Sequence, residues 1–262
     1  MLLTDTHSHL YYETDVIKRR ELMARCLEKK VNRIFLPNVN SSSVNLVLSL
    51  ARDYPENCFP MLGLHPCDVK MHANDEVKNF KDELISIKQA IKTNKIYAIG
   101  EIGIDLYWDK STLEIQKEAF ILQIKWAKEM RLPVVIHCRE AFNEIYEILI
   151  QENDEKLWGI FHCFTGSLEQ AHQIIELGFY LGIGGVVTYK NSGLDKVVSQ
   201  LSLNNMVLET DSPYLTPVPF RGKTNESSYL TYIAQKVADL KEINIEEVAN
   251  ITTKNSIRIF GI

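Results

Sequence analysis

No stretch of this 262-residue chain approaches the roughly 18 consecutive apolar residues that a membrane span requires. Its first residues, MLLTDTHSHL, lack both a basic segment ahead of an apolar run and a small-residue cleavage site. No secretory signal is therefore expected, and the cytoplasm is the expected location. Cysteine is sparse: Cys26, Cys58, Cys67, Cys138 and Cys163 are odd in number and include no C-x-x-C pair. That pattern indicates neither a disulfide framework nor a thiolate zinc finger, and reduced thiols are the expectation. Excess positive charge is missing as well. Lys and Arg total 29 against 34 Asp and Glu, a formal charge of −5 with no long basic run, which argues against electrostatic coating of long duplex DNA. Linkers, repeats and low-complexity segments are not evident either, so a single domain over 1–262 is expected.

What is present is ordinary globular composition, with 45% hydrophobic and 24% charged residues. The length suits an α/β barrel, which commonly occupies about 250 residues. Short apolar runs at Leu2–Leu3, Ile34–Val39, Phe59–Leu64, Ile96–Ile99, Val134–Ile136, Gly159–Phe161, Tyr180–Ile183 and Val207–Leu208 read as eight strands. Helical periodicity fills the intervals near 16–31, 42–53, 76–93, 112–131, 141–152, 168–177 and 193–201, with two more helices near 227–241 and 245–258. Ser111 with Glu114, Ser167 with Gln170 and Asn244 with Glu247 are spaced as N-cap pairs. The alternation predicts a parallel sheet, and eight units favour a closed (β/α)8 barrel over an open doubly wound sheet, although spacing alone does not prove closure.

The ionisable residues fall in register with those strands. His7 and His9 follow the first run in TDTHSH, where alternate residues of an extended chain face the same way and can reach one ion. His65 follows MLGL, Glu101 follows IYAIG, His137 follows VVI, His162 follows GIF and Asp211 follows VLET. In a barrel all carboxyl-terminal strand ends meet on one face, where side chains from different strands build the site. An isolated H-x-H is weak evidence, and a lone histidine is more often a core or surface residue. The conjunction at successive strand ends points to a metal centre. His72 and His172 follow no strand and are expected to be structural or solvated.

Taken in order, DTHSHL at 5–10, GLHP at 63–66, EIGID at 101–105, HCRE at 137–140, HCFTG at 162–166 and ETDSPYL at 209–215 resemble the motifs of TatD-related deoxyribonucleases, over nearly the whole chain. The resemblance implies a distorted TIM barrel of the metal-dependent hydrolase type, cytoplasmic, acting on phosphodiester bonds in DNA. It also implies that His7, His9, Glu101 and Asp211 hold one divalent ion and that Glu101, His137 and His162 hold a second, with Glu101 bridging. A shared carboxylate offsets repulsion between two cations. Imidazole donors suit Zn or Mn more than Mg, whereas the family is usually described with divalent ions, often Mg, so the metal stays open among the three.

Asp211 is placed to accept a proton from the attacking water. His65 has no obvious place among the ligands and is assigned to the scissile phosphate or the leaving oxygen. Arg139 and Arg221 are the candidate phosphate anchors, because guanidinium meets phosphate with two hydrogen bonds, and Lys223 and Asn225 are weaker candidates for substrate binding. Family members commonly read RGKRNEP where this chain reads RGKTNES, losing one positive charge and a proline. Asp105 is a candidate to orient a ligand histidine, and Tyr107 and Trp108 either stack an unpaired base or simply pack. Because the attraction to DNA would be local to the ions, single strands or strand ends acted on by an exonuclease are the expected substrate, with no membrane and no obligate protein partner. The alternative is a deacylase of D-aminoacyl-tRNA, or another ester hydrolase on the same site. A metal-binding protein without catalysis would leave the ligand set without use.

Overall fold

The computed structural model describes residues 1–71 and 79–262. Its strands are β1 (Leu3–Asp5), β2 (Val31–Pro37), β3 (Cys58–Met61), β4 (Ile99–Asp105), β5 (Val134–Arg139), β6 (Gly159–Phe161), β7 (Tyr180–Ile183) and β8 (Met206–Leu208). The helices among the described residues are α1 (Val16–Glu28), α2 (Val44–Asp53), α3 (Phe80–Thr93), α4 (Leu113–Met130), α5 (Phe142–Glu152), α6 (Leu168–Glu176), α7 (Leu194–Gln200), α8 (Leu230–Lys241) and α9 (Ile245–Phe260). Every strand pair is parallel, in the orders β1-β2-β3 and β4-β5-β6-β7-β8.

Two seams join these sheets into a ring. At one, Leu62 N donates to Ala98 O at 3.2 Å and Gly100 N to Leu62 O at 3.1 Å. At the other, Thr6 N donates to Leu208 O at 3.0 Å and Asp211 N to His7 O at 2.9 Å, beside a bridge between Ser8 and Ser212. The fold is thus a distorted (β/α)8 barrel, with the closure that spacing could not prove carried by these few bonds.

Helices cover the outside because their apolar residues recur at three- and four-residue intervals. α5 turns Ile145, Ile148 and Leu149 inward, and α3 turns Phe80, Leu84, Ile87 and Ile91 inward. Ser167 and Asn244 cap α6 and α9 as the sequence predicts, the first in a full capping box with Gln170. Ser111 does not cap α4. Asp109 takes both its N–H at 2.9 Å and its hydroxyl at 2.6 Å, so a single 3-10 turn, 110–112, precedes the helix instead. His72 and the beginning of the helix expected from 76 lie outside the described residues, whereas His172 is exposed on α6.

Inside the barrel Phe35, Phe59, Met61, Ala98, Val135, Ile160 and Val207 pack with Ile259 and Phe260 of α9. Asn255 of α9 donates to Met206 O at 2.8 Å, which docks this helix at the amino end of β8, and Phe260 stacks on Phe35 at 3.7 Å. One mouth of the barrel is therefore plugged with apolar side chains. The carboxyl-terminal mouth is left for polar ones.

Candidate metal centre

Strand alternation decides what lines that open mouth. Two residues beyond the interior Val135, Ile160 and Val207 come His137, His162 and Glu209, on the same face and one layer higher. Glu101 arrives differently. The sequence reading placed it just past a strand ending at Ile99, but β4 begins at Ile99 and runs to Asp105. Register passes from Gly100 opposite Val135 to Ile102 opposite Ile136, leaving Glu101 as an extra residue. Bulges of this kind re-aim a side chain beside a site. His137 likewise lies within β5 rather than after it. Close approach of these two strands needs Gly103, where a Cβ would stand 2.0 Å from His137 O.

The two oxygens of Glu101 face two different histidine sets. Oε2 lies 3.0 Å from His7 Nε2 and 3.7 Å from His9 Nε2, and both of these nitrogens are within 3.8 Å of Asp211 Oδ1. Oε1 lies 2.8 Å from His137 Nδ1, 3.2 Å from His162 Nε2 and 3.3 Å from His65 Nε2. The structure thus brings together every residue expected at the metal centre, with His65, expected at the scissile phosphate and not among the ligands, against the same Glu101 oxygen. His7 and His162 stack face to face at 3.6 Å.

Behind the imidazoles stand acceptors that fix which nitrogen faces inward. Asp105 Oδ2 takes His137 Nε2 at 2.8 Å, the orienting role foreseen for it, and Tyr11 Oη meets His9 Nδ1 at 2.9 Å. Glu209, fully buried, accepts from both His162 Nδ1 at 3.0 Å and Cys163 N at 2.5 Å through Oε1. Glu209 opens the ETDSPYL segment, and its functional position shows in the sequence only as a spacing of two from the interior Val207. Asp5 is inconspicuous for a similar reason. It is buried beneath the site, where it accepts from Thr210 N at 2.9 Å, Thr210 Oγ1 at 2.6 Å and His7 N at 3.3 Å, tying the first motif to the last. Burial raises the Asp5 carboxyl to about 7 against those hydrogen bonds.

Charges in the cluster oppose burial. Burial alone would raise Glu101, but the imidazoles of His162, His65 and His7 and the hydrogen bond from His137 hold it well below the usual carboxylate range. Asp211 is held low in the same way by His9, His162 and His7. Burial would lower His162, but Glu101 and Glu209 raise it well above the ordinary imidazole value. His7 goes the other way, lowered by burial and by its neighbour His162. An arrangement this rich in inward-facing imidazole nitrogens calls for a cation between them and Glu101. Further, His7 Nδ1 is buried with no hydrogen-bond partner. Three groups have ligand atoms within 4.8 Å of one another: His7, His9 and Asp211; His7, Glu101 and His162; His65, Glu101 and His137. The all-nitrogen and oxygen donor set fits a divalent ion.

Above the cluster opens a cleft of about 690 Å³ lined by His65, Glu101, Trp108, Arg139, Asp211 and Tyr214 among others. Arg139 is therefore in the site, whereas Arg221 and Lys223 are exposed on the loop after β8, stacked on Tyr189 at 3.9 Å and Phe220 at 5.6 Å. Asn225 is buried rather than aimed at a substrate. It donates to Thr210 O at 2.8 Å and Tyr214 O at 2.5 Å, pinning that loop over Asp211. Among the described residues no helix is long and apolar enough to cross a membrane.

Comparison with known proteins agrees with this geometry. A family model described as TatD related DNase matches residues 4–261. YabD of Bacillus subtilis (strain 168), an uncharacterized metal-dependent hydrolase, is 41% identical over 265 residues, covering 100% of both chains. YcfH of Escherichia coli (strain K12), described in the same words, is 31% identical over 275 residues, covering 100% of this chain and 97% of its own. The crystal structure of YjjV, a TatD homolog from Escherichia coli K12, is similar with a TM-score of 0.90 and 28% identity, covering 99% of this chain and 98% of that one. A TatD family hydrolase from Entamoeba histolytica shares the fold, with a TM-score of 0.81 at 20% identity and coverage of 99% and 98%. The chain belongs to the TatD family and is a metal-dependent hydrolase.

Proposed function

We propose that this protein is a cytoplasmic deoxyribonuclease that hydrolyses phosphodiester bonds at the ends of single-stranded DNA with two divalent ions. The observation that carries the reading is the division of Glu101 between two histidine sets, one on each oxygen. His7, His9, Asp211 and Glu101 would hold one ion, and His137, His162 and Glu101 the other. When bound, Mg, Mn or Zn would supply Lewis acidity toward the phosphoryl oxygens and lower the pKa of the attacking water.

The chain's own groups divide the remaining work. His65 Nδ1 accepts from Cys67 N at 3.1 Å, which leaves Nε2, the nitrogen facing the site, as the ring's N–H donor. His65 therefore donates a hydrogen bond to a phosphoryl or leaving oxygen. Asp211 stays ionised and takes a proton from the attacking water. Arg139 pairs with a phosphate inside the cleft, and Arg221 and Lys223 meet the strand beyond it. The formal charge of −5 confines attraction to this mouth, which favours a strand end over a long duplex.

The test supplies purified protein with Mg or Mn and offers linear or closed circular single-stranded DNA, with D-aminoacyl-tRNA as a second substrate. The linear strand is expected to be trimmed to short products while the circle survives. Efficient cutting of the circle would overturn the end-directed mode, and loss of the aminoacyl group without nucleotide release would overturn the nuclease assignment.

A further inference from the structure

Tyr107 and Trp108 are 49% and 71% exposed, so packing does not explain them. Their backbone is nonetheless held firmly. Buried Gln116 donates to Asp105 O at 3.0 Å and accepts from Asp105 N at 2.8 Å, Asp105 Oδ1 accepts from Tyr107 N at 3.0 Å, and Leu106 N donates to Arg139 O at 2.9 Å. The two rings meet edge to face at 4.8 Å, and Arg139 Cζ stands 3.7 Å over Tyr107 and 5.5 Å from Trp108. Among the described residues no carboxylate lies within ion-pair distance of Arg139, and the neighbouring Glu140 pairs with Lys110 at 3.9 Å instead. A guanidinium held over an aromatic face, as Arg139 is over Tyr107, uses no N–H on that contact and keeps its donors for an anion.

This ledge adjoins the reacting centre. Trp108 and Arg139 line the same cleft as Glu101 and His65, and the carboxylate that fixes Tyr107 N also holds His137 Nε2. Trp108 is three residue steps from Asp105, at most about 11 Å of chain. We propose that Tyr107, Trp108 and Arg139 form a subsite that stacks one unpaired nucleobase beside the scissile phosphate while Arg139 holds a phosphate of the same strand. The inference rests on the nucleic-acid reading above and deepens it. Stacking tolerates any base because each has a π-face. A base inside a duplex has both faces covered by its neighbours, so the subsite selects single strands and frayed ends.

The experiment is a double cycle on kcat/KM. Wild type, Trp108→Phe and Trp108→Ala are each given a single-stranded oligonucleotide and the same strand made abasic next to the cleaved bond. Base–aromatic stacking predicts that base removal costs wild type about 5- to 150-fold. Trp108→Phe should keep much of that loss, and Trp108→Ala should show little of it, because the base has nothing left to stack on. Equal sensitivity to base removal in wild type and Trp108→Ala, which is to say a Trp108→Ala loss of the same size on both strands, would overturn the subsite. A second readout is tryptophan fluorescence of chelator-treated protein titrated with a thymidine oligonucleotide, since Trp126 is buried and Trp158 is tied to Ile259 O. Quenching is expected in wild type and not in Trp108→Ala. If wild type hydrolyses no DNA, the nuclease reading fails, and this titration alone decides the subsite: quenching that depends on Trp108 upholds it and its absence removes it.

Discussion

Glu209→Gln isolates the contribution of a residue that touches neither DNA nor a proposed ion. In the native chain one carboxylate oxygen receives two N–H groups, from His162 Nδ1 and Cys163. Glutamine keeps the volume but removes the charge, and charge-assisted hydrogen bonds are about twice as strong as neutral ones. The side chain cannot swing aside, because its other oxygen fills the space left by Gly182, where a Cβ would stand 2.3 Å away. His162 thus stays in place, but its Nδ1–H meets a neutral amide oxygen instead of a carboxylate, which holds the tautomer less firmly and weakens Nε2 as a donor. Mutating such a partner typically lowers metal affinity about 10- to 100-fold, which is about 1.4–2.7 kcal/mol. Calorimetric titration of chelator-stripped protein with Mn or Zn reads the loss directly, and Asp211→Asn identifies which binding event belongs to the other ligand set. The weakening should fall on the His137 and His162 side alone. Affinities within twofold of wild type, in a variant whose melting temperature is unchanged, would refute the assignment of Glu209 to His162.

Asp211→Asn preserves shape while removing an anionic ligand and proton acceptor, and turnover should fall at least about 10²-fold in a steady-state nuclease assay. Arg221→Ala should raise the Michaelis constant more than it lowers turnover, since an anchor that grips ground state and transition state alike contributes uniform binding. Chelation should lower thermal stability reversibly. Metal at one hundred times its dissociation constant stabilises by about 2.7 kcal/mol, which for a chain of this size shifts the melting temperature by about 5–10 °C in a calorimetric scan.

The chain disclosed its architecture through periodicity. Gly159–Phe161 and Tyr180–Ile183 are observed as read, and helix limits differ by a few residues because ends such as 227–229 form a 3-10 turn before α8. Where β4 begins was misread because IYAIG looks like a complete apolar strand, while EIGID, with its acidic residues, conceals a buried one. Metal-site candidates were legible since each follows or ends an apolar run. Glu209 and Asp5 were not, because the residue two positions on from each, Asp211 after Glu209 and His7 after Asp5, answers the metal-ligand pattern, whereas a carboxylate that works through hydrogen bonds to other residues shows itself only by strand alternation, as Glu209 does two residues after Val207. Ledge residues Tyr107 and Trp108 were ambiguous for a related reason: sequence does not distinguish an aromatic pair that packs from one that faces solvent, and only exposure separates them.

The central claim is that Glu101 joins two ions, and the measurement closest to it is an anomalous difference map from crystals soaked in Mn or Zn. The account predicts two peaks about 3.5–4 Å apart. One should lie against His7, His9 and Asp211, the other against His137 and His162, with an oxygen of Glu101 on each, and both should be lost or weakened in Glu101→Ala. A single peak, or two peaks that persist at full occupancy without Glu101, would contradict it.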